Sequence, residues 1–293
     1  MEKIIVIAGP TGSGKTALAA KLARKLNGEI ISADSRQVYR HLDIGTNKEI
    51  LSVPQHLIDI IDPDETFSAG QFVKRAEELI LKIRNSGKRP MIVGGTGLYI
   101  KALIDGLAEL PDRNEAIRRE LNELLSERGK EHLYEKLKEF DPASAEANRG
   151  NPQRLIRAIE VFKLTGIPVS ELHKNTKGSK EEFLQFALNT GKEELYQRID
   201  ARSDVMLESG MIEETKKVLE MGFPEDSPGL QGLGYRDTVR YLKNELTLDE
   251  LRALLGAGNR KYAKRQLTWF KADARIKWLD AEKITIVLTD LLK

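Results

Sequence analysis

Residues 4–16 read IIVIAGPTGSGKT, and they constrain the fold more than any other stretch of the chain. Ile4–Ala8 is a short, unbroken apolar run, the pattern of a strand buried on both faces. Gly9, Pro10, Thr11, Gly12, Ser13, Gly14, Lys15 and Thr16 fit G-x-x-x-x-G-K-[ST]. Leu18, Leu22 and Leu26 then repeat at helical spacing over residues 16–26. Strand, glycine loop and helix in that order form a phosphate cradle. Glycines let backbone N–H groups converge on phosphate oxygens, and the helix N-terminus adds the positive end of its dipole. Lys15 adds a full charge, and Thr16 offers a hydroxyl to a Mg²⁺ that bridges two phosphates. The loop implies a bound diphosphate or triphosphate without specifying a nucleotide.

The α/β alternation continues through the first hundred residues. Residues 29–33 read as a second strand ending at Asp34, 56–61 as a third ending at Asp62, and 90–93 as a fourth stopped by Gly94-Gly95. Residues 67–83 and about 96–106 have helical spacing. After Pro111 the strands disappear. Residues 113–128, 130–140 and 152–164 are expected to be helices, punctuated by Pro142, Pro152 and Pro168. Residues 176–179 look like a flexible return, and Phe183–Leu188 rejoins the sheet. Helices resume at Lys192. Residues 227–234 form a glycine-rich loop, 248–269 a helix and 276–279 a last edge strand. The predicted architecture is an α/β core, 1–112 and 181–293, around an all-helical insertion, 113–180.

Composition removes other chemistries. The 293 residues suit about two domains at roughly 150 residues each. With 40% hydrophobic and 31% charged residues the chain can build a core. There is no cysteine, which excludes disulfides, thiolate zinc sites, iron–sulfur clusters and a cysteine nucleophile. The four histidines show no metal-ligand spacing, and His56 reads as a satisfied core residue. A net charge of +2 means that affinity for a polyanion must come from local patches. No apolar stretch reaches 18 residues, so no membrane span is expected, and the chain reads as cytoplasmic.

A phosphate loop of this kind usually has a partner strand ending in an Asp that helps to hold Mg²⁺. Here the strand of Met91 and Val93 runs into Gly94-Gly95-Thr96 instead, which argues against ATP hydrolysis. Asp34, at the end of the second strand, faces the loop if ligands sit at the carboxyl ends of strands. It can serve as a magnesium ligand, a general base, or only a cap for residues 35–39. Arg198 and Arg202 share a helix face, as a clamp for a leaving pyrophosphate or as surface ion pairs. From Arg252 to Lys271 there are six basic residues and no acid, interleaved with Tyr262, Trp269 and Phe270. The pairs Arg260/Lys264 and Lys261/Arg265 lie four apart. That is either a solvated helix face or a surface for phosphates and stacked bases. Arg149, Arg154 and Arg157 make a second basic patch in the insertion.

Together these segments resemble the bacterial tRNA dimethylallyltransferase (tRNA isopentenylpyrophosphate transferase) family. The resemblance is carried by GPTGSGKT (9–16), SADSRQVYRHLDIGTNK (32–48), HLIDIIDP (56–63), FSAGQF (67–72), VGGTGLYIKAL (93–103), NPQRLIRAIEV (151–161), LYQRIDARSDVMLESG (195–210), GLGYRD (232–237) and KRQLTWF (264–270). It implies a P-loop NTPase-like core with a parallel sheet flanked by helices, interrupted by the helical insertion. It implies transfer of a dimethylallyl group from dimethylallyl diphosphate to N6 of the adenosine 3′-adjacent to the anticodon, in tRNAs reading U-starting codons. The loop would then hold the prenyl diphosphate with Mg²⁺ at Thr16, and Asp34 would be the base. The implied partner is the tRNA anticodon stem-loop, bound by a monomer. Asp34, Ser35, Arg36, Gln37, Thr96, Arg118, Gln153, Arg154, Arg157, Lys264 and Arg265 are the expected tRNA contacts. Lys15, Thr16, Arg202 and Arg198 complete the catalytic set. The alternatives are an adenylate isopentenyltransferase, a P-loop small-molecule kinase and a non-catalytic RNA-binding nucleotide switch.

Overall fold

The structure is a computed structural model that describes residues 3–174, 176 and 178–290. Contacts divide the chain into two compact units, Met1–Ile104 with Lys180–Lys293, and Asp105–Ser179. Among the described residues, no helix is long and apolar enough to cross a membrane.

The first unit begins β1 (Ile4–Ala8), α1 (Lys15–Lys25), β2 (Gly28–Ser32), β3 (Gln55–His56), α2 (Ala69–Asn85), β4 (Arg89–Gly94) and α3 (Gly97–Asp105), the last of which ends on the boundary. In the second unit follow α4 (Glu115–Lys138), α5 (Pro142–Asn148), α6 (Pro152–Thr165) and α7 (Val169–Lys174). The first unit then resumes with β5 (Phe183–Leu188), α8 (Lys192–Glu208), α9 (Met211–Glu220), α10 (Tyr235–Leu242), α11 (Leu248–Lys271), β6 (Lys277–Leu279) and α12 (Ala281–Asp290).

The described strands form one parallel sheet in the order β3-β2-β4-β1-β5-β6. Strand alternation sorts β1 between two cores. Ile4, Val6 and Ala8 pack with Phe72, Ala76 and Ile80 of α2, whereas Ile5 and Ile7 pack with Leu18 and Leu22 of α1. Each of these Ile, Val, Leu and Phe side chains contributes roughly 1.5–3 kcal/mol when fully buried. A third cluster joins Val38, Tyr39 and Leu42 to Met206, Met211, Tyr235 and Leu255, and so seats the chain after β2 on helices α8 to α11.

The third strand is shorter than its apolar run suggests. Only Gln55 and His56 pair with β2, because Leu57 and Asp59 turn to φ 62° and 55° and cannot extend the ladder. Ile61 returns to bridge Tyr39. His56 is pinned by Glu29, 2.6 Å away, which also takes Lys88 at 2.6 Å. β5 and the edge position of β6 follow the sequence reading.

The second unit has its own core of Leu121, Leu133, Leu137, Leu155, Ile156 and Ile159. The expected break between two helices is present inside α4, at Gly129 with φ 76°. Two further short helices, α5 and α7, had no periodicity to announce them; the Asp141 carboxylate caps the first at Ser144 and also takes the Ser170 N–H within the second. Residues 105–112 belong with this unit, where the Pro111 carbonyl accepts from Arg157 at 2.6 Å. Of the expected return at 176–179, Lys177 lies outside the described residues.

Candidate active site

The carboxyl ends of β1, β2 and β4 meet beside the strand pair where the chain switches direction in the sheet, the position at which open α/β sheets bind ligands. Ala8 pairs with Gly94, so the glycine loop after β1 and the Gly94-Gly95-Thr96 turn after β4 are neighbours. The loop needs its glycines. Gly12 has φ 80°, and a Cβ there would meet Ile199 at 2.9 Å. At Gly95 a Cβ would meet the Gln266 amide at 2.3 Å. Where the sequence lacks an acid after the fourth strand, the structure therefore places a close approach to α11.

Gln266 is buried and uses both ends of its amide. Its Oε1 accepts the Thr11 N–H at 2.9 Å, and its Nε2 donates to the Gly95 carbonyl at 2.8 Å. It ties the phosphate loop to the end of β4. Arg202 on α8 donates to the Thr11 hydroxyl and lines the same cavity. The Ser13 hydroxyl is buried without a hydrogen-bond partner among the described residues.

The cavity encloses about 290 Å³. Thr11, Lys15, Thr16 and Arg202 line one part of it; Asp34, Ser35, Arg36 and Gln37 line another; Tyr262, Arg265 and Gln266 of α11 close it. Burial pulls the Lys15 ammonium down to about 8, Asp34 works against that, and Arg202 adds to it. Burial likewise pulls Arg202 down, with Asp34 opposing. Two partly buried cations are thus held in a cavity that an anionic ligand would complete. Burial pushes the Tyr262 phenol up to about 12, so it stays protonated.

Asp34 follows β2 and directs Oδ1 at the Arg36 N–H, 2.8 Å away. The cap reading is therefore realised as a local turn, with no helix at 35–39, and the carboxylate still lines the cavity. Ser35 N–H donates to the Thr96 hydroxyl at 2.9 Å, and Arg36 donates to the Pro228 carbonyl at 2.8 Å. Gln37 donates to the carbonyls of Thr46 and Asn47. These side chains fix the cavity wall.

Glu214 gave no signal in the sequence. Its carboxylate accepts the successive N–H groups of Asp43, Ile44 and Gly45, and the Tyr235 hydroxyl donates to it at 2.6 Å. That holds the segment whose Gly45, Thr46 and Asn47 line the cavity. Lys48 is bound by Tyr39, Asp43 and Asp59 in the same segment.

Other expected residues lie elsewhere. Arg198 is bound to Glu194 at 2.5 Å in a separate groove with Ser13, Gly14 and Lys21 of the glycine loop and its helix, whereas Arg202 lines the cavity of Asp34. Lys264 is exposed in a groove outside the cavity, while Arg265 lines both. Phe270 is 2% exposed in the core and offers no stacking face. In the second unit, Arg118 and Arg157 converge on the fully buried Glu160, at 3.8 and 2.8 Å. Gln153 and Arg154 stand exposed in the first turn of α6.

The model of the family described as IPP transferase matches residues 37–273. The chain belongs to the IPP transferase family. Among IPP transferase relatives, the tRNA dimethylallyltransferase of Carboxydothermus hydrogenoformans is 46% identical over 96% of this chain and 93% of that protein. The tRNA isopentenylpyrophosphate transferase of Bacillus halodurans is similar in structure, with a TM-score of 0.74 and 39% identity over 100% of this chain and 96% of that one. A eukaryotic dimethylallyltransferase solved acting on tRNA has a TM-score of 0.79 and 30% identity over 96% of this chain and 74% of that one. The core of this IPP transferase is α/β and P-loop NTPase-like, as its parallel sheet and these neighbours show.

Proposed function

We propose that the protein transfers a dimethylallyl group from dimethylallyl diphosphate to tRNA, at N6 of the adenosine 3′-adjacent to the anticodon in tRNAs reading U-starting codons. The observation that carries this reading is one cavity holding a diphosphate cradle, Lys15 and Arg202 beside the glycine loop, together with a carboxylate, Asp34. Relatives at this level of identity are named for the same transfer. The cytoplasm, where the sequence reading puts the chain, is consistent with that substrate.

The reaction forms a bond from adenine N6 to the allylic carbon and breaks that carbon's bond to the diphosphate oxygen. The N6 lone pair is delocalised into the ring, so the amine attacks weakly unless it loses a proton as the bond forms. Asp34 takes that proton on its carboxylate, which the Arg36 N–H holds in place. An allylic carbon tolerates positive charge, which leaves stabilisation of the departing diphosphate as the larger task. Backbone N–H groups of residues 12–16, Lys15 and Arg202 perform it, and losing one such contact costs about 2.7–4 kcal/mol by analogy with oxyanion donors. Bringing the base to them requires turning it out of the anticodon loop.

Mg²⁺ suits the donor chemistry of this cavity, because the Thr16 hydroxyl is a hard oxygen ligand and Mg²⁺ is usually bound by few protein oxygens together with the ligand's own phosphates. Thr16 would hold it, and the ion would neutralise charge on the diphosphate.

Purified protein, Mg²⁺ and labelled dimethylallyl diphosphate, incubated with unmodified tRNA or with AMP, test the reading. Label in tRNA alone is expected. Label in AMP would move the acceptor to a free nucleotide, and label in neither would overturn prenyl transfer.

A further inference from the structure

Asn259, Tyr262 and Gln266 stand at i, i+3 and i+7 on α11, and all three line the cavity of Asp34. Both ends of the Gln266 amide are in use, on Thr11 and Gly95. Asn259 uses only one. It is buried, and its Nδ2 donates to the Ser203 hydroxyl at 3.1 Å. That hydroxyl spends its own proton on the Ile199 carbonyl, 2.9 Å away, so it can only accept from Asn259. The amide is thereby fixed with Oδ1 as the atom left over. Among the described residues Oδ1 has no hydrogen-bond partner. Leaving such an acceptor without a donor costs the free protein stability. The position of Asn259 narrows what the donor is. Ser203 directly follows Arg202, which donates to Thr11 of the glycine loop. Tyr262 is one turn further along α11, and its phenol feels the Asp34 charge. Asn259 therefore has the diphosphate arginine to one side and the surroundings of the carboxylate to the other.

Ionised dimethylallyl diphosphate has no N–H or O–H to give. Its oxygens are acceptors, and an amide oxygen repels them. The nucleoside is the substrate that brings donors, and its N6 amine carries two hydrogens. We propose that Asn259 Oδ1 accepts a hydrogen bond from the N6 proton that Asp34 does not remove. The assignment deepens the tRNA-transfer reading above and rests on it. In the transfer step N6 bonds to the allylic carbon while that carbon's bond to the diphosphate oxygen breaks. One N6 proton goes to Asp34; the other stays on nitrogen, held by Asn259, and remains in the secondary amine of the product. The contact fixes rotation of the amine about its bond to the ring and draws electron density onto N6. It also selects the base. Guanine and hypoxanthine carry a carbonyl oxygen at the same ring position, which would face Oδ1 acceptor to acceptor.

The test is a cycle of equilibrium affinities, measured on the full-length protein without the prenyl donor so that no transfer occurs. The ligands are anticodon stem-loop RNAs that carry adenosine, purine riboside (which lacks the amine) or 2′-deoxyadenosine at the target position. Asn259→Ala is expected to weaken binding of the adenosine loop roughly 2- to 12-fold and to leave the purine loop as it was, so that the variant no longer tells the two apart. Thermal melting and dimethylallyl diphosphate binding confirm that the variant is folded. If it is not, Asn259→Ser, which keeps a small polar side chain beside Ser203 but withdraws the acceptor from the cavity, is expected to give the same result. Equal weakening of the adenosine and purine loops would make Asn259 a strut between α8 and α11 and overturn the proposal. Unchanged affinity for both would overturn it too. So would a loss that disappears with 2′-deoxyadenosine instead of purine riboside, which would give the contact to the ribose hydroxyl. If the unaltered protein transfers no label to tRNA, the tRNA-transfer reading fails first, and the two failures are thereby told apart.

Discussion

Asp34 sets two demands that pull in different directions, one oxygen for its own turn and a carboxylate for the substrate proton. Asp34→Asn keeps the first, because an amide oxygen still accepts the Arg36 N–H, and removes the second. It is expected to lower kcat by about 10²–10⁴-fold with a much smaller change in KM for tRNA. Near-normal transfer of label by that variant would remove Asp34 from the role of base. Lys15 gives a pH dependence of known sign. Its proton comes off at about 8 in the free protein, because burial disfavours the charge. The charged form binds the diphosphate, so affinity is full below about pH 8 and falls as the pH rises through it, by about tenfold per unit. Titrating dimethylallyl diphosphate affinity from pH 6 to 10 checks this, and Lys15→Ala should remove the inflection. The residues that carry the phosphate chemistry were legible, since the motif is contiguous. Gln266 was not. Its quoted motif, KRQLTWF, says nothing of a partner, and its bond to Thr11 spans 255 positions.

The segment from Leu42 to Lys48 has no regular structure of its own, and is held by what surrounds it. Three consecutive N–H groups converge on Glu214 of α9, with Tyr235 of α10 as a fourth donor. Burial, reinforced by Glu214, pushes the Tyr235 phenol far up, so it remains a donor throughout the working range. Hydrogen bonds to a charged acceptor are worth about 1.5–3 kcal/mol. Glu214→Gln is expected to raise KM for both substrates and to speed amide exchange at Asp43, Ile44 and Gly45. Unchanged protection at those three amides would show that the segment is held otherwise. Elements with long periodicity or a full apolar run were readable: α2, α11, β1 and β5. Elements made by tertiary partners were not. α5 and α7 have seven and six residues, too few to be stable from propensity alone, and Asp141 and the neighbouring core hold them. β3 was overcalled because apolar content says nothing of the positive φ at Leu57 and Asp59.

On the scale of the molecule, the two units have separate apolar cores, so damage to one should be felt there first. Glu160 is the buried centre of the second, accepting from Asn114 and Arg157 and ion-paired with Arg118 at 3.8 Å. Glu160→Ala strands two guanidinia and is expected to cost about 3–5 kcal/mol. Limited proteolysis should then cut within residues 105–179 more quickly, while dimethylallyl diphosphate binding in the first unit persists. Loss of that binding together with the cleavage would mean that the units melt as one. The insertion was legible as a change of pattern after Pro111, whereas the role of its arginines was hidden, because a buried Glu reads like any other helical acid. The sheet order has a consequence for synthesis. β1 lies between β4 and β5, and β5 emerges only after the whole second unit. A ribosome adding ~5–20 residues per second needs roughly 10–35 s to travel from the one strand to the other. For that interval the nascent chain carries a bare apolar strand edge beside a finished phosphate loop, and the helical unit is complete before the sheet that brackets it can close.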